Sequence, residues 1–157
     1  MTALPRRQPA PRLKGFDYRS AHWYFVTVVT RHRGEILGTV VESRSELSAL
    51  GHLVAAEWAD RPRREPGLML DQFVVMPDHL HAILALPGVG DSLMRVVGRF
   101  KAATSRRATK LAWRPGTLWQ RSFFDRVIRD RRELDALRKY ILENPVRWAG
   151  FRPPLRP

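Results

Sequence analysis

The order of strand-like and helix-like segments predicts that this chain folds as one α+β domain. Three observations support that class: four runs with strand character, helical spacing of apolar residues between them, and a length of 157 residues, which suits one domain with a sizeable core. The predicted order is strand–helix–strand–strand–helix–strand–helix. Its first six elements follow the split βαβ, or ferredoxin-like, pattern, a four-stranded antiparallel sheet with helices on one face. The seventh is an extra C-terminal helix.

The first strand and the first helix are predicted in the N-terminal half. Residues 23–30 are rich in aromatic and β-branched side chains, which is typical of a strand. Ser45 can cap a helix that runs to about Trp58, because apolar residues recur there at helical spacing. Arg61-Pro62 is predicted to end this helix.

The middle of the chain predicts a hairpin, a second helix and a fourth strand. Residues 68–75 and 79–86 have strand character, and the short segment between them indicates an antiparallel connection. Residues 93 to about 111 have helical periodicity. Residues 123–128 then predict the strand that completes the sheet.

The last helix begins with Asp130-Arg-Arg-Glu133, which has the D-x-x-E spacing of a capping box. It is predicted to run through Leu142. Pro145 is predicted to stop it, because the residue before a proline is disfavoured in the α region.

The charge of the chain indicates a polyanionic partner. Lys and Arg number 28 against 15 for Asp and Glu, a net charge of +13, which favours nucleic acid over an anionic membrane. No apolar run approaches the ~20 residues of a spanning helix, and the N-terminus has no apolar signal segment, so no membrane partner is expected. The absence of cysteine excludes disulfides and Cys-based zinc sites, and favours a cytoplasmic protein.

Two histidines lie two residues apart in the third strand. His79 and His81 point to one face of a strand, about 7 Å apart, so both imidazoles can reach one metal ion while Leu80 packs into the core behind them. Asp71 and Asp125 lie at strand positions, and we expect them as partners of a histidine N–H. The remaining histidines are expected to be surface or structural residues: His22, His32 and His52.

Tyr140 and Asn144 lie one turn apart on the last helix, so the phenol and the amide could project toward one site. Alone, this pattern is more typical of a tyrosine at the edge of the core than of a site. The histidine pair favours a site, because a metal bound by two imidazoles needs another protein ligand. A side-chain amide oxygen suits Mg²⁺ or Mn²⁺.

The second predicted helix has a basic face opposite its apolar one. The basic stripe comprises Arg95, Arg99, Arg106 and Lys110. It contains no acidic residue, which favours contact with phosphates over an ordinary solvated face. Further charge nearby comes from Lys101, Arg107 and Arg114.

Several motifs follow one another along nearly the whole chain. They are Phe16-Asp17-Tyr18, Tyr24-Phe25-Val26-Thr27, Val75-Met76-Pro77-Asp78-His79-Leu80-His81, Phe100-Lys101, Trp119-Gln120-Arg121, Phe124-Asp125-Arg126-Val127-Ile128-Arg129 and Tyr140-Ile141-Leu142-Glu143-Asn144-Pro145. In this order they resemble the single-tyrosine, His-hydrophobic-His transposases of the insertion-sequence 200 type, and most closely the branch of REP-associated tyrosine transposases. Asp78 stands where the family usually has asparagine, and Arg126 where histidine is common.

The resemblance implies an enzyme of DNA transposition that binds a folded single-stranded DNA hairpin and cleaves beside it. Tyr140 would be the nucleophile and form a 5′-phosphotyrosine link, and a second 3′-OH can reverse the step. The metal, Mg²⁺ or Mn²⁺, would be held by His79, His81 and Asn144. DNA contacts are expected from the basic stripe together with Lys101.

We expect residues 15–150 to form the transposase domain, residues 1–14 a flexible basic arm, and residues 151–157 a Pro/Arg-rich tail. Three other functions stay open: a domesticated hairpin-binding protein that does not cleave, an RNA-binding ferredoxin-like module, and a replication initiator or relaxase. Whether the chain acts as a monomer or a homodimer also stays open.

Overall fold

The computed structural model describes most of the chain. The described residues are 12–32, 34–111, 113 and 116–150. Most of the predicted arm, residues 1–11, and the whole predicted tail, residues 151–157, lie outside them. No helix within the described part of the chain is long and apolar enough to cross a membrane.

The structure contains the seven predicted elements and three that were not predicted. The strands are β1 Trp23–Val29, β2 Gly38–Val41, β3 Arg44–Leu47, β4 Met69–Met76, β5 His79–Ala85 and β6 Phe124–Ile128. The helices are α1 Ala49–Ala59, α2 Arg61–Arg64, α3 Leu93–Lys110 and α4 Arg131–Gly150. The additional elements are the β2–β3 hairpin and the short helix α2.

Four strands form the main sheet in the order β4-β5-β1-β6, with every pair antiparallel. This is the strand order of a split βαβ fold with its first strand inside the sheet. The predicted class, α+β with a four-stranded antiparallel sheet and an extra C-terminal helix, is therefore confirmed. The register places Thr27 of β1 opposite His81 of β5.

The two faces of this sheet carry different helices. On one face, alternate residues of β1 and β5 pack with α1 and α3 in the larger core; its fully buried members include Val26, Leu80 and Phe100. On the other face, α4 packs through Leu134 and Ile141 against a smaller apolar cluster. Helix α4 therefore covers the face of the sheet on which His79 and His81 lie.

The predicted cap of the first helix is wrong, because Ser45 lies in β3. Its hydroxyl donates to the backbone carbonyl of Val75, at 2.6 Å. The true N-cap is Ser48, whose hydroxyl accepts a hydrogen bond from the Gly51 amide at 3.1 Å. The hairpin turn is formed by Glu42 and Ser43, both with positive φ, as a two-residue turn of type I′ requires.

The predicted end of the last helix is also wrong, because α4 continues through Pro145 to Gly150. An internal proline removes one helical hydrogen bond and disfavours the helix. Burial of Pro145 and of Ile141 offsets this cost, and Ile141 belongs to the apolar cluster on this face of the sheet. Helix α1 ends at Ala59, just before Arg61-Pro62, as predicted. Pro62 itself lies in the first turn of α2, where a missing N–H is tolerated.

Candidate active site

The two histidines of β5 converge on one point beneath α4. Their Nε2 atoms are 3.0 Å apart. The His81 residue is 2% exposed, and the His79 side chain is 14% exposed. Leu80 between them is fully buried in the larger core, as the alternation of a strand requires.

The Nδ1 atom of each imidazole has a partner in the protein. His79 Nδ1 lies 2.6 Å from a carboxylate oxygen of Asp78, and His81 Nδ1 lies 2.8 Å from the Thr27 hydroxyl. Because an ionised carboxylate only accepts hydrogen bonds, the tautomer of neutral His79 that suits this contact has its proton on Nδ1 and its lone pair on Nε2. Partners of this kind fix the orientation of metal-binding histidines.

The carboxylates expected beside the histidines lie elsewhere. Asp71 binds Arg138, and Asp125 forms an ion pair with Arg12. The actual partners were missed for two reasons. Asp78 lies in the β4–β5 turn rather than in a strand, and Thr27 is adjacent to His81 only through the register of β1 with β5.

Helix α4 presents three side chains to this site at successive turns: Tyr140, Asn144 and Trp148. The Tyr140 ring centroid is 5.3 Å from that of His81, and the Trp148 ring centroid is 6.0 Å from that of His79. Residues at i, i+4 and i+8 share one helix face. Asn144 is thus one turn from each ring, and it is 7% exposed.

Sequence reasoning found Tyr140 and Asn144 but missed Trp148. The signal that could have revealed Trp148 is the same four-residue spacing, extended by one more helical turn. It was hidden because Pro145 was predicted to end the helix.

Two imidazoles and a side-chain amide are chemically able to hold one divalent cation. The two Nε2 atoms are close enough to bind one ion. The Asn144 amide nitrogen donates to the Tyr140 carbonyl at 3.5 Å, so the amide oxygen is the atom of this side chain that would bind a metal. Among the residues that the structure describes, no cluster of three or more His, Cys, Asp or Glu could hold a metal. Asn144 provides an oxygen ligand of a type that these four kinds of residue do not include.

Two sets of polar contacts hold α4 in place. At its start, Asp130 accepts a hydrogen bond from the Glu133 amide at 2.8 Å, as predicted, and Glu133 accepts one from the Arg129 amide at 2.9 Å. Two residues before Tyr140, Arg138 binds both carboxylate oxygens of Asp71 on β4. Hydrogen bonds from Arg138 hold the pKa of Asp71 below its ordinary value.

The predicted DNA contacts lie on α3, across the sheet from α4, and fall into two groups. Arg95 and Arg99 form ion pairs with Asp91, and Arg99 also pairs with Glu65 at 2.8 Å. By contrast, Arg106 and Lys110 are exposed and form no ion pair with any residue in the described ranges.

The additional basic residues near the stripe differ in their surroundings. The Lys101 ammonium donates to the carbonyls of Gln120 and Arg121, at 2.6 and 3.0 Å, and burial lowers its pKa. Arg107 forms an ion pair with the buried Glu57. Arg114 lies outside the described residues.

Most of the chain matches a known protein family. Residues 19–144 match the family model described as "Transposase IS200 like". The chain belongs to the IS200-like transposase family. The resemblance inferred from the motifs is therefore confirmed.

Relatives of the transposase extend the comparison. An uncharacterised Haemophilus influenzae protein is 28% identical over 158 residues, which cover 87% of each chain. A second protein from that organism, described as "Putative REP-associated tyrosine transposase", is 29% identical over 82 residues, covering 46% of this chain and 47% of that protein.

Two solved structures share the fold. One is a REP-associated tyrosine transposase bound to a REP hairpin, with a TM-score of 0.67 and 22% identity over 85% of this chain and 72% of that one. The other is a Deinococcus radiodurans R1 protein described as a "putative transposase", with a TM-score of 0.54 and 21% identity over 87% and 98% of the respective chains.

Proposed function

We propose that this transposase cleaves single-stranded DNA beside hairpins of the REP type and transfers the cut strand, with Tyr140 as the nucleophile. The observation that carries the proposal is the position of the Tyr140 ring, 5.3 Å from His81 and on the same helix face as Asn144.

The other tyrosines are poorly placed for this chemistry. Tyr24 is fully buried in the larger core, its phenol donates to the Ser20 carbonyl at 3.1 Å, and burial raises its pKa. Tyr18 packs beside Tyr24, with ring centroids 6.1 Å apart. Both rings therefore belong to the opposite face of the sheet from the histidine pair.

His79, His81 and Asn144 would hold Mg²⁺ or Mn²⁺ in this proposal. When bound, such an ion polarises a phosphoryl oxygen and offsets the charge that develops in the transition state. Asp78 and Thr27 keep the imidazoles oriented through Nδ1. The two residues thereby reduce the motion of the ligands during the reaction.

The reaction exchanges one phosphodiester for another. The Tyr140 oxygen forms a bond to phosphorus and loses its proton, while the bond from phosphorus to the 3′-oxygen breaks and that oxygen takes up a proton. The products are a 5′-phosphotyrosine and a free 3′-OH. Attack by a second 3′-OH reverses these changes and releases Tyr140, so the strand is transferred without net hydrolysis.

A DNA hairpin is the partner that the charges favour. The net charge of +13 suits a polyanion, and Arg106 and Lys110 offer exposed cations that no described carboxylate neutralises. The relative solved with a REP hairpin shares the fold, which supports this choice of partner. We further propose that residues 15–150 are the catalytic unit and that the basic arm, residues 1–14, adds charge to it.

The test is trapping of the covalent adduct. Labelled hairpins from the DNA that flanks the gene are incubated with the protein and Mg²⁺ or Mn²⁺, and the adduct is mapped by mass spectrometry. We expect the 5′-phosphate on Tyr140. Tyr140→Phe should retain hairpin affinity and lose the adduct, because it removes one oxygen and keeps the ring.

Tyr18→Phe is the matched control, since Tyr18 is also half-buried. It should form the adduct at the wild-type level. An adduct on Tyr18 or Tyr24 would contradict the assignment. Tight hairpin binding with no adduct under either metal would instead identify a non-cleaving hairpin-binding protein.

A further inference from the structure

The last turns of α4 bring an indole to the edge of the histidine site. Because the helix continues past Pro145, Trp148 lies with its ring centroid 6.0 Å from that of His79, at an interplanar angle of 45°. It lies two turns from Tyr140 on the same helix face, with Asn144 between them. The indole thus adjoins the two residues proposed for bond cleavage and metal binding.

Core packing does not account for this indole. Trp58 and Trp119 are fully buried in the larger core, and Trp113 and Trp23 pack against one core or the other. In the described part of the chain, Trp148 alone among the tryptophans belongs to neither core cluster, and it keeps part of its surface exposed.

The surroundings of Trp148 suit a nucleotide. The adjacent Arg147 is exposed, and its guanidinium carbon lies 5.5 Å from the centroid of the Tyr140 ring. One nitrogen of this guanidinium forms an ion pair with Glu143 at 3.1 Å, and the Arg147 side chain keeps about half of its surface exposed. An aromatic ring beside a cation is the combination with which proteins bind single-stranded nucleic acid, through base stacking and backbone charge.

We propose that Trp148 stacks on an unpaired nucleobase next to the scissile phosphate and so positions that phosphate against Tyr140. The inference rests on the proposed function, because it assigns the DNA strand to the Tyr140–histidine site. Every base has an apolar face, so the platform tolerates any sequence at this position. Loss of one such stack weakens single-strand binding by about ten- to a hundred-fold.

The experiment combines a change in the DNA with a change in the protein. A hairpin from the DNA flanking the gene, with its natural single-stranded extension, is made with one abasic nucleotide at each position in turn. Its dissociation constant is measured for the wild type and for Trp148→Ala. In the wild type, removal of the base at one position beside the cleavage site should weaken binding at least tenfold. In Trp148→Ala this loss of affinity should disappear, while the losses caused by abasic nucleotides at other positions should remain.

Further variants separate stacking from folding. Trp148→Phe keeps an aromatic face and should preserve the penalty, whereas Trp148→Leu keeps apolar volume and should lose it. Trp113→Ala makes the same chemical change on the opposite face of the sheet and should leave the abasic pattern as in the wild type. Thermal melting shows which variants are folded.

Identical abasic penalties in the wild type and in folded Trp148→Leu would overturn the inference. That result together with a Tyr140 adduct would leave the proposed function standing. A Trp148-dependent penalty without any adduct would support the stacking site and count against cleavage.

Discussion

Alternate residues of β1 and β5 face two different environments. Toward α1 and α3 they present fully buried apolar side chains, among them Val26, Val28 and Leu80. Toward α4 the same strands present Thr27, His79 and His81, which are joined by hydrogen bonds. Because successive side chains of a strand point to opposite faces of the sheet, the same two strands line a core on one face and a polar site on the other.

The contrast shows how a small domain carries a polar site without losing its fold. The larger core draws on both helices and all of the central strands, so it supplies most of the buried apolar area. The smaller cluster around Ile83 and Ile141 closes only one part of the α4 face. Polar anchors, above all the pair of Arg138 with Asp71, hold the rest of α4.

Adjacent residues of β5 give the sharpest test of this division. Leu80→Ala should lower the free energy of unfolding by about 2–5 kcal/mol, because it opens a cavity in the larger core. His81→Ala should change unfolding less and reduce adduct formation by on the order of a thousand-fold. Denaturant melts and adduct yield, measured on both variants, check the pair.

A reversed outcome, with His81→Ala unfolded and Leu80→Ala fully stable and active, would show that the α4 face carries the fold. Leu80→Met retains most of the side-chain volume and serves as the control for Leu80→Ala.

The salt dependence of hairpin binding tests the two groups of the basic stripe. Replacing both Arg106 and Lys110 by alanine should make the slope of log affinity against log salt shallower by about 1.4, because two phosphate contacts are lost at about 0.7 each in single-stranded regions. The double replacement of Arg95 and Arg99 removes the same charge and should change the slope less, since Asp91 and Glu65 already neutralise these arginines. Equal changes in both double variants would show that the ion pairs open on DNA binding.

The smallest expected effect concerns the anchor of α4. Asp71→Asn should lower Tm by about 3–6 °C at neutral pH, because Arg138 loses a charged partner. The pKa of Asp71 is depressed in the folded protein, so its stabilisation is complete above the unfolded value of 3.8 and is lost as pH falls through the lower folded value. The difference in Tm from the wild type should therefore disappear in strong acid.

Asp135→Asn is the matched control, since Asp135 binds the same arginine from a more exposed position. Its effect on Tm should be smaller. A difference in Tm between the wild type and Asp71→Asn that increases as the pH falls would contradict the depressed pKa of Asp71.

Periodicity predicted the parts of the molecule that depend on local pattern. The alternation around Leu80 predicted the two faces of β5, and helical spacing predicted that Tyr140 and Asn144 share a face of α4. The β2–β3 hairpin was missed because its turn, Glu42-Ser43, lacks the glycine or asparagine that normally indicates positive φ. The end of α4 was misplaced because tertiary packing outweighs the local effect of Pro145.

Partners across the fold lie beyond what a sequence pattern can predict. Thr27 reaches His81 through strand register, and Glu65, at the C-terminal end of α2, reaches Arg99 of α3 although the two residues are far apart in the sequence. The ion pair of Asp91 with Arg95 is different, because its four-residue spacing is visible in the sequence. It was overlooked because Asp91 precedes the first turn of α3.

The attachment of α4 to β4 has a consequence for reaction kinetics. Arg138 and Asp71 belong to one polypeptide, and they secure the helix two residues before Tyr140. In this single-chain structure the proposed nucleophile lies beside the histidine pair of the same polypeptide, and dilution of the enzyme tests whether the same arrangement acts on DNA. If one molecule forms the whole site, the reaction rate falls on dilution in proportion to the enzyme concentration. If two molecules share the site, the rate falls with the square of that concentration.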